Sequence, residues 1–218
     1  MSFVVLCALP PEAVAARVGL RRSGGSQAEP GRVRLVGMGP LRARKAAARL
    51  ASVLPDGVPV VVLGVGGALV GGFEPGDLVV ANALGSAEVG GGGALEVVHS
   101  PVALDARSAA FSDQVAAALS ARFPSTRQAP VLSAGRTARG RERLTLGGSG
   151  AVVCDTESYW LSRLADRRPF AVVRSIVDTP DRELVGMQTV TGGVRGLRRL
   201  CDAAEIVGGL LSRPTVQS

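Results

Sequence analysis

The run Val58-Pro59-Val60-Val61-Val62-Leu63-Gly64 constrains this chain more than any other feature. It is apolar throughout, rich in β-branched residues, and has no polar side chain at alternate positions. A strand with one wet face alternates apolar and polar residues, so a run without alternation belongs to a strand covered on both faces. Residues 3–8, 78–82, 151–154 and 170–177 have the same character, and shorter pieces at 33–36 and 131–132 read as further strands. Between them, residues 12–18 (after Pro10-Pro11), 41–54, 105–122, 156–166 and 193–211 carry helical patterns. Strands alternating with helices predict an α/β layered domain with a largely parallel sheet. The polar stretch 19–30 reads as a loop and Gly37-Met38-Gly39-Pro40 as a tight turn. Residues 85–93, ending in four consecutive glycines, read as a flexible loop or hairpin end. No repeat or linker interrupts the pattern, so residues 1–218 are expected to form a single domain.

Composition narrows the function classes. A chain of 218 residues with 46% hydrophobic content can bury a core, which excludes wholesale disorder. It has no apolar run of the ~18 residues that a membrane span needs, so no span is expected. The N-terminus, Met1-Ser2-Phe3-Val4-Val5-Leu6-Cys7, reads as a first strand and not as a signal peptide. Cys7, Cys154 and Cys201 are too few and too scattered for a disulfide framework, and the cytoplasm is the expected compartment. The formal net charge of +7 raises the question of a polyanion partner. All 25 basic residues except Lys45 are arginine, however, and they are dispersed in twos and threes, with only 3% aromatic residues. A nucleic-acid binder clusters its charge and adds rings for stacking. The arginines, among them the triplet Arg139, Arg141 and Arg143, therefore read as solvated helix faces, and no nucleic-acid partner is expected.

Common chemical motifs are missing. There is no Gly-x-x-x-x-Gly-Lys-Ser/Thr, and Gly64-Val65-Gly66-Gly67 lacks the third glycine of a dinucleotide fingerprint because Leu69 occupies its place. His99 is the only histidine and reads as a surface loop residue, which argues against a histidine-based zinc site or a Ser-His-Asp triad. No metal or cofactor is expected. Carboxylates remain, and three follow core strands, where α/β enzymes place their sites. They are Glu12, Glu157 and Asp178. Each has a plain structural alternative. Glu12 suits the first turn of a helix, Asp155-Thr156-Glu157 can start one, and Asp178 before Thr179-Pro180 can serve a turn. Their joint placement favours a site, because converging carboxylates are costly without a use.

Four segments carry a resemblance. They are Ala8-Leu9-Pro10-Pro11-Glu12; Gly37-Met38-Gly39-Pro40 with its Ala-rich helix; Leu63-Gly64-Val65-Gly66-Gly67-Ala68-Leu69 followed by Pro75-Gly76-Asp77-Leu78-Val79-Val80; and Asp155-Thr156-Glu157 followed by Val173-Arg174-Ser175-Ile176-Val177-Asp178. In order and spacing they resemble the nucleoside phosphorylase/nucleosidase superfamily. Its members include methylthioadenosine/S-adenosylhomocysteine nucleosidases, futalosine hydrolases and hopanoid-associated phosphorylase-like nucleosidases.

The resemblance implies a three-layer α/β/α sandwich of the purine nucleoside phosphorylase type, a purine nucleoside substrate, a homodimer and cleavage of an N-glycosidic bond. Asp178 then corresponds to the acid that protonates the purine at N7, which apolar burial would help by keeping the proton on the carboxyl. Glu157 corresponds to the carboxylate that accepts the ribose 2′- and 3′-hydroxyls, and Glu12 to the group that orients and deprotonates the attacking water. Gly64, Val65 and Gly66 with Thr156 would line the sugar. The loop 133–138, with Ser133, Thr137 and Ala138, would frame the base through main-chain groups.

Departures from the pattern bear on the co-substrate. Phosphorylases of the superfamily carry an arginine two residues before the glycine matching Gly64 and a Ser or Thr after it. Val62 and Val65 occupy these places here and offer no phosphate donor. Glu12 would also repel a phosphate dianion, so hydrolysis is favoured over phosphorolysis. Arg42 and Arg44 are the alternative anion ligands, or simply a solvated helix face. Thr156 replaces the methionine that normally packs under the sugar, which implies an altered ribose or 5′ environment. Tyr159 and Trp160 read as helix core, with a 5′ pocket as the alternative. Gly192-Gly193-Val194-Arg195-Gly196-Leu197-Arg198-Arg199-Leu200 and the segment Arg174–Pro180 resemble the hopanoid-associated branch, which implies an adenosine-type substrate with a bulky or apolar 5′ group. A non-catalytic nucleoside-binding protein of the same fold is the reading from a different class.

Overall fold

A computed structural model describes residues 3–24, 32–181 and 187–212, with the side chains of 187–191 left aside. In chain order it contains β1 (Val4–Cys7), α1 (Pro10–Arg22), β2 (Val33–Leu35), α2 (Pro40–Val53), β3 (Val60–Ala68), β4 (Leu78–Val89), β5 (Leu95–Ala103) and α3 (Ala106–Ser120). Then follow β6 (Arg127–Ala134), α4 (Arg141–Gly147), β7 (Val153–Asp155), α5 (Ser158–Leu161), a 3-10 turn (Ser162–Asp166), β8 (Phe170–Asp178) and α6 (Met187–Ser212).

The eight strands form one mixed sheet. β2, β1 and β3 run parallel, and β8 joins β3 in parallel. β4 then pairs antiparallel with β8 and parallel with β6. β6 pairs parallel with β7, and β7 returns antiparallel to β3. Strands β3, β8, β4, β6 and β7 thus close a ring, with β1 and β2 extending from β3 and β5 lying antiparallel on β4. The sheet is mixed, as expected, and its closure into a ring is the feature that the sandwich expectation did not include. Closure is possible because β3 and β4 are long and irregular. The β3–β8 register shifts between Gly66 and Gly67, and the β4–β6 register shifts between Ala81 and Ala83. Such irregularities bend a strand and increase its twist.

The apolar runs split by parity. Phe3, Val5 and Cys7, Val61 and Leu63, and Ala171 and Val173 face one layer with α1, α3 and α6. Val4 and Leu6, Val60 and Val62, and Phe170 and Val172 face another with α2, α5 and Trp160. Successive side chains of a strand point to opposite faces, and here both faces are dry, which is why the sequence shows no alternation. All three cysteines are buried free thiols. Among the described residues no helix is long and apolar enough to cross a membrane.

Several boundaries move. The loop expected from residue 19 begins later, because α1 runs to Arg22; residues 25–30 of that loop lie outside the described residues. The region 85–93 is mainly strand: β4 continues to Val89, and the glycines turn it into β5, a strand the sequence did not announce. Exposed His99 lies in that strand, where its Nδ1 sits 2.9 Å from Ser86 Oγ and its ring stacks on Tyr159.

Helices α1 and α6 approach closely at Gly19. A Cβ there would come within 2.8 Å of Ala204 Cβ and would overlap the Cys201 carbonyl. Alanine is the better helix former by ~1 kcal/mol, but overpacking costs about 1–3 kcal/mol. Gly19→Ala should therefore destabilise the protein, and a denaturant titration showing equal or greater stability would contradict the packing.

Candidate active site

The site is organised around a charge inside the sheet. Arg174 is a fully buried residue in the middle of β8. Its Nε donates to Asp155 Oδ2 at 2.8 Å, and its Nη2 lies 2.7 Å from the same oxygen, 2.8 Å from Ser158 Oγ and 3.6 Å from Glu157 Oε2. Burial works against the charged guanidinium, but the carboxylates of Asp155, Glu157 and Glu12 outweigh it and hold the Arg174 pKa above its ordinary value. Gly64 makes the room: a Cβ there would overlap Arg174 Nη1 and stand 3.0 Å from Glu12 Oε1.

Glu12 enters from the first turn of α1, directly after β1. Its Oε2 accepts the N–H groups of Ala8 at 2.9 Å and Leu9 at 2.8 Å, and its Oε1 accepts the Val65 N–H at 2.8 Å. Burial raises its pKa, with Arg174 and these three N–H groups working against the rise. Glu157 follows β7. Its Oε1 accepts the Gly39 N–H at 3.0 Å and the Thr156 hydroxyl. Gly39 sits at φ +91°, a backbone conformation that glycine takes without steric cost. Burial raises the Glu157 pKa, against the pull of Arg174. Asp178 ends β8 and forms a buried ion pair with Arg143 of α4, whose Nη1 donates to the Ala68 carbonyl at 2.9 Å.

These groups meet on one cavity of about 180 Å³. Glu12, Glu157, Asp178, Thr156, Val65, Gly66, Thr137 and Ala138 are all on its wall, joined by Met38, Leu69, Cys154 and Arg143. Two expected substrate contacts are placed elsewhere. Gly64 stands behind the wall against Arg174. Ser133 is a fully buried residue of β6 whose hydroxyl donates to Asp155 Oδ1 at 2.5 Å and accepts the Tyr159 N–H at 2.9 Å. It therefore orients Asp155 and has no free face for a base. Trp160 is buried in the core, Tyr159 stacks on His99, and neither lines the cavity. Arg42 and Arg44 are exposed on α2, where Arg44 pairs with Glu88 at 2.8 Å. Cys154 faces the cavity as a thiol, its pKa pushed by burial up to about 12.

Sequence reasoning missed two residues. Arg143 was taken for one of many solvated arginines, because the seven-residue α4 is too short to show a periodicity. Arg174 stood within a quoted motif but received no role. Its signal was plain: an arginine inside the otherwise apolar strand Phe170-Ala171-Val172-Val173.

No protein-family model matches the chain, and no curated protein does. Solved structures do. Over 95% of this chain and 96% of the other, it superposes on 5′-methylthioadenosine/S-adenosylhomocysteine nucleosidase from Helicobacter pylori in complex with butyl-thio-DADMe-Immucillin-A, with a TM-score of 0.72 and 16% identity. The chain has the fold of this nucleosidase. Futalosine hydrolase of Helicobacter pylori matches over the same shares with a TM-score of 0.71 and 16% identity. The 5′-methylthioadenosine/S-adenosylhomocysteine nucleosidase from Neisseria meningitidis in complex with methylthio-immucillin-A matches over 96% and 98%, with a TM-score of 0.71 and 15% identity.

Breaking one side of a buried ion cluster leaves uncompensated charge and costs about 3–5 kcal/mol. Arg174→Met should destabilise the protein on that scale near neutral pH. The loss should shrink as the pH falls and Glu157 takes up a proton. Denaturant titrations at two pH values check this, and an unchanged midpoint would refute the central role of Arg174.

Proposed function

We propose that this chain is a single-domain purine nucleoside N-ribohydrolase that cleaves the C1′–N9 bond of a 5′-modified nucleoside to free base and sugar. One observation carries the reading: three separate elements deliver Glu12, Glu157 and Asp178 to one cavity. The fold shared with nucleosidases supports it.

The chemistry follows from the geometry. Glu157, held through Oε1 by Gly39 and Thr156, offers its remaining lone pairs to the ribose hydroxyls and its charge to the oxocarbenium-like sugar. Glu12 is fixed by three backbone N–H groups and takes the proton of the attacking water. The water oxygen bonds to C1′ as the C1′–N9 electron pair leaves with the base. A proton drawn from solvent passes through Asp178 to N7, and Arg143 balances the Asp178 carboxylate before and after the transfer. The apolar surroundings expected to keep a proton on Asp178 are not what the structure has: Arg143 faces it, and a cation favours the ionised carboxylate.

Water is the acceptor in this reading because the described residues of the cavity wall include no dedicated phosphate site. Val62 is a core residue, Val65 gives its N–H to Glu12, and Arg143 is engaged by Asp178. A symmetric dimer belongs to the same reading. Met38 on the wall and neighbouring Leu41 are exposed apolar side chains that a second copy would cover.

Incubation with purine nucleosides should release free base equally well with and without phosphate, and strict phosphate dependence would overturn hydrolysis. Asp178→Asn should lower kcat by about 10²–10⁴-fold with the circular dichroism spectrum unchanged. Because Glu12 acts as a carboxylate and burial raises its pKa, kcat/KM should fall with decreasing pH through a point above the ordinary glutamate value of about 4.3. An acid limb at or below that value would remove Glu12 as the base.

A further inference from the structure

Glu157 is tied down more fully than a sugar-binding carboxylate needs to be. An ionised carboxyl group has two oxygens with about four lone-pair sites, and a vicinal diol pairs with it by giving one hydroxyl to each oxygen. Here Oε1 is already filled. It accepts the Gly39 N–H at 3.0 Å and the Thr156 hydroxyl. Both donors belong to the protein and both are fixed. Gly39 stands at the N-terminus of α2. Thr156 lies in a turn held by Asp155, whose Oδ1 accepts the N–H groups of Glu157 at 3.0 Å and Ser158 at 3.2 Å. The other oxygen, Oε2, is 3.6 Å from Arg174 Nη2, an ion-pair contact too long for a hydrogen bond. Oε2 is therefore the oxygen left for a ligand.

We propose that Thr156 makes this cavity accept 2′-deoxynucleosides nearly as well as ribonucleosides, an inference that rests on the nucleosidase reading above. The argument turns on what a missing hydroxyl leaves unpaired. A site that relies on a substrate hydroxyl to satisfy a buried polar group rejects the analogue lacking it by about 10⁴-fold or more, because that group is stranded. Glu157, only 3% exposed, would be such a group. Thr156 prevents it. With the Thr156 hydroxyl and the Gly39 N–H on Oε1, and the charge of Arg174 beside Oε2, the carboxylate keeps its partners when the sugar brings one hydroxyl instead of two. One hydroxyl on Oε2 seats the sugar. A second must share Oε2 or compete with Thr156 for Oε1, and it gains little from either. Its loss removes one exchangeable hydrogen bond and does not strand a buried charge.

Calorimetric titration with C-nucleosides, in which carbon replaces N9 and the glycosidic bond cannot be hydrolysed, isolates sugar recognition from bond breaking. The probes are 9-deazaadenosine and 9-deazainosine, each with its 2′-deoxy form. In the wild-type protein, loss of the 2′-hydroxyl should weaken binding by less than about tenfold. Thr156→Val keeps the shape of the side chain, removes the hydroxyl and opens Oε1 to the sugar. The preference for the ribonucleoside over its 2′-deoxy form should then widen by at least about tenfold. Thr156→Ser, which retains the hydroxyl, should keep the wild-type ratio. A purely structural role for Thr156 would weaken both forms equally in Thr156→Val, and an unmoved ratio would overturn the proposal. So would a larger wild-type loss on removal of the 2′-hydroxyl, or binding of none of the probes. Base release from adenosine and inosine, followed alongside, separates this inference from the reading beneath it. Cleavage with an unmoved binding ratio keeps the hydrolase and discards the role of Thr156. The widened ratio without cleavage discards hydrolysis and keeps the sugar selection.

Discussion

A guanidinium enclosed by the sheet governs the rest of this molecule. Arg174 has given up its water entirely, and such a charge is tolerated only where carboxylates replace the solvent. Asp155 and Glu157 at the end of β7 and Glu12 at the start of α1 do so, two segments far apart in the chain. Ion clusters of this kind contribute little net stability compared with an apolar core. Their product is geometry. The end of β7, the start of α5 and the first turn of α1 are tied to one point on β8. The carboxylates on the cavity wall thereby hold their positions without help from a ligand.

The apolar layers supply what the ion cluster does not. Alternate residues of β1, β3 and β8 feed two dry layers, so apart from the Arg174 cluster the middle of the sheet is held by apolar packing. The carboxylates of the cavity wall lie at strand ends and in the segments that directly follow them. Closure of β3, β8, β4, β6 and β7 into a ring gathers those ends together. A cavity of about 180 Å³ forms there, walled by residues from β1 through β8.

Much of this was legible in the sequence. Unbroken apolar runs marked the strands covered on both faces, and carboxylates placed just after them marked the wall. Periodicity could not reveal pairings between distant segments. β5 was hidden because His99, Ser100 and Pro101 interrupt its apolar pattern and its glycine-rich turn resembles a loop. Ser133 entered the candidate site through the resemblance of its loop, and nothing local shows that it is a buried β6 residue whose hydroxyl is bound to Asp155, far along the chain. Arg143 was invisible for the opposite reason. Among so many arginines no local property marks the one that turns inward, and only the partner Asp178 distinguishes it.

The parity split of the strands has a consequence for how such a protein can change over time. Stability resides in side chains that never see the cavity, whereas the wall is drawn from turns and strand ends such as Met38, Val65, Thr137 and Thr156. Replacements at these positions alter the shape and polarity offered to a ligand while leaving both dry layers untouched. One scaffold can therefore drift through a series of substrates with its fold intact. Sequence identities of 15–16% over nearly the full chain length are what that separation of duties permits.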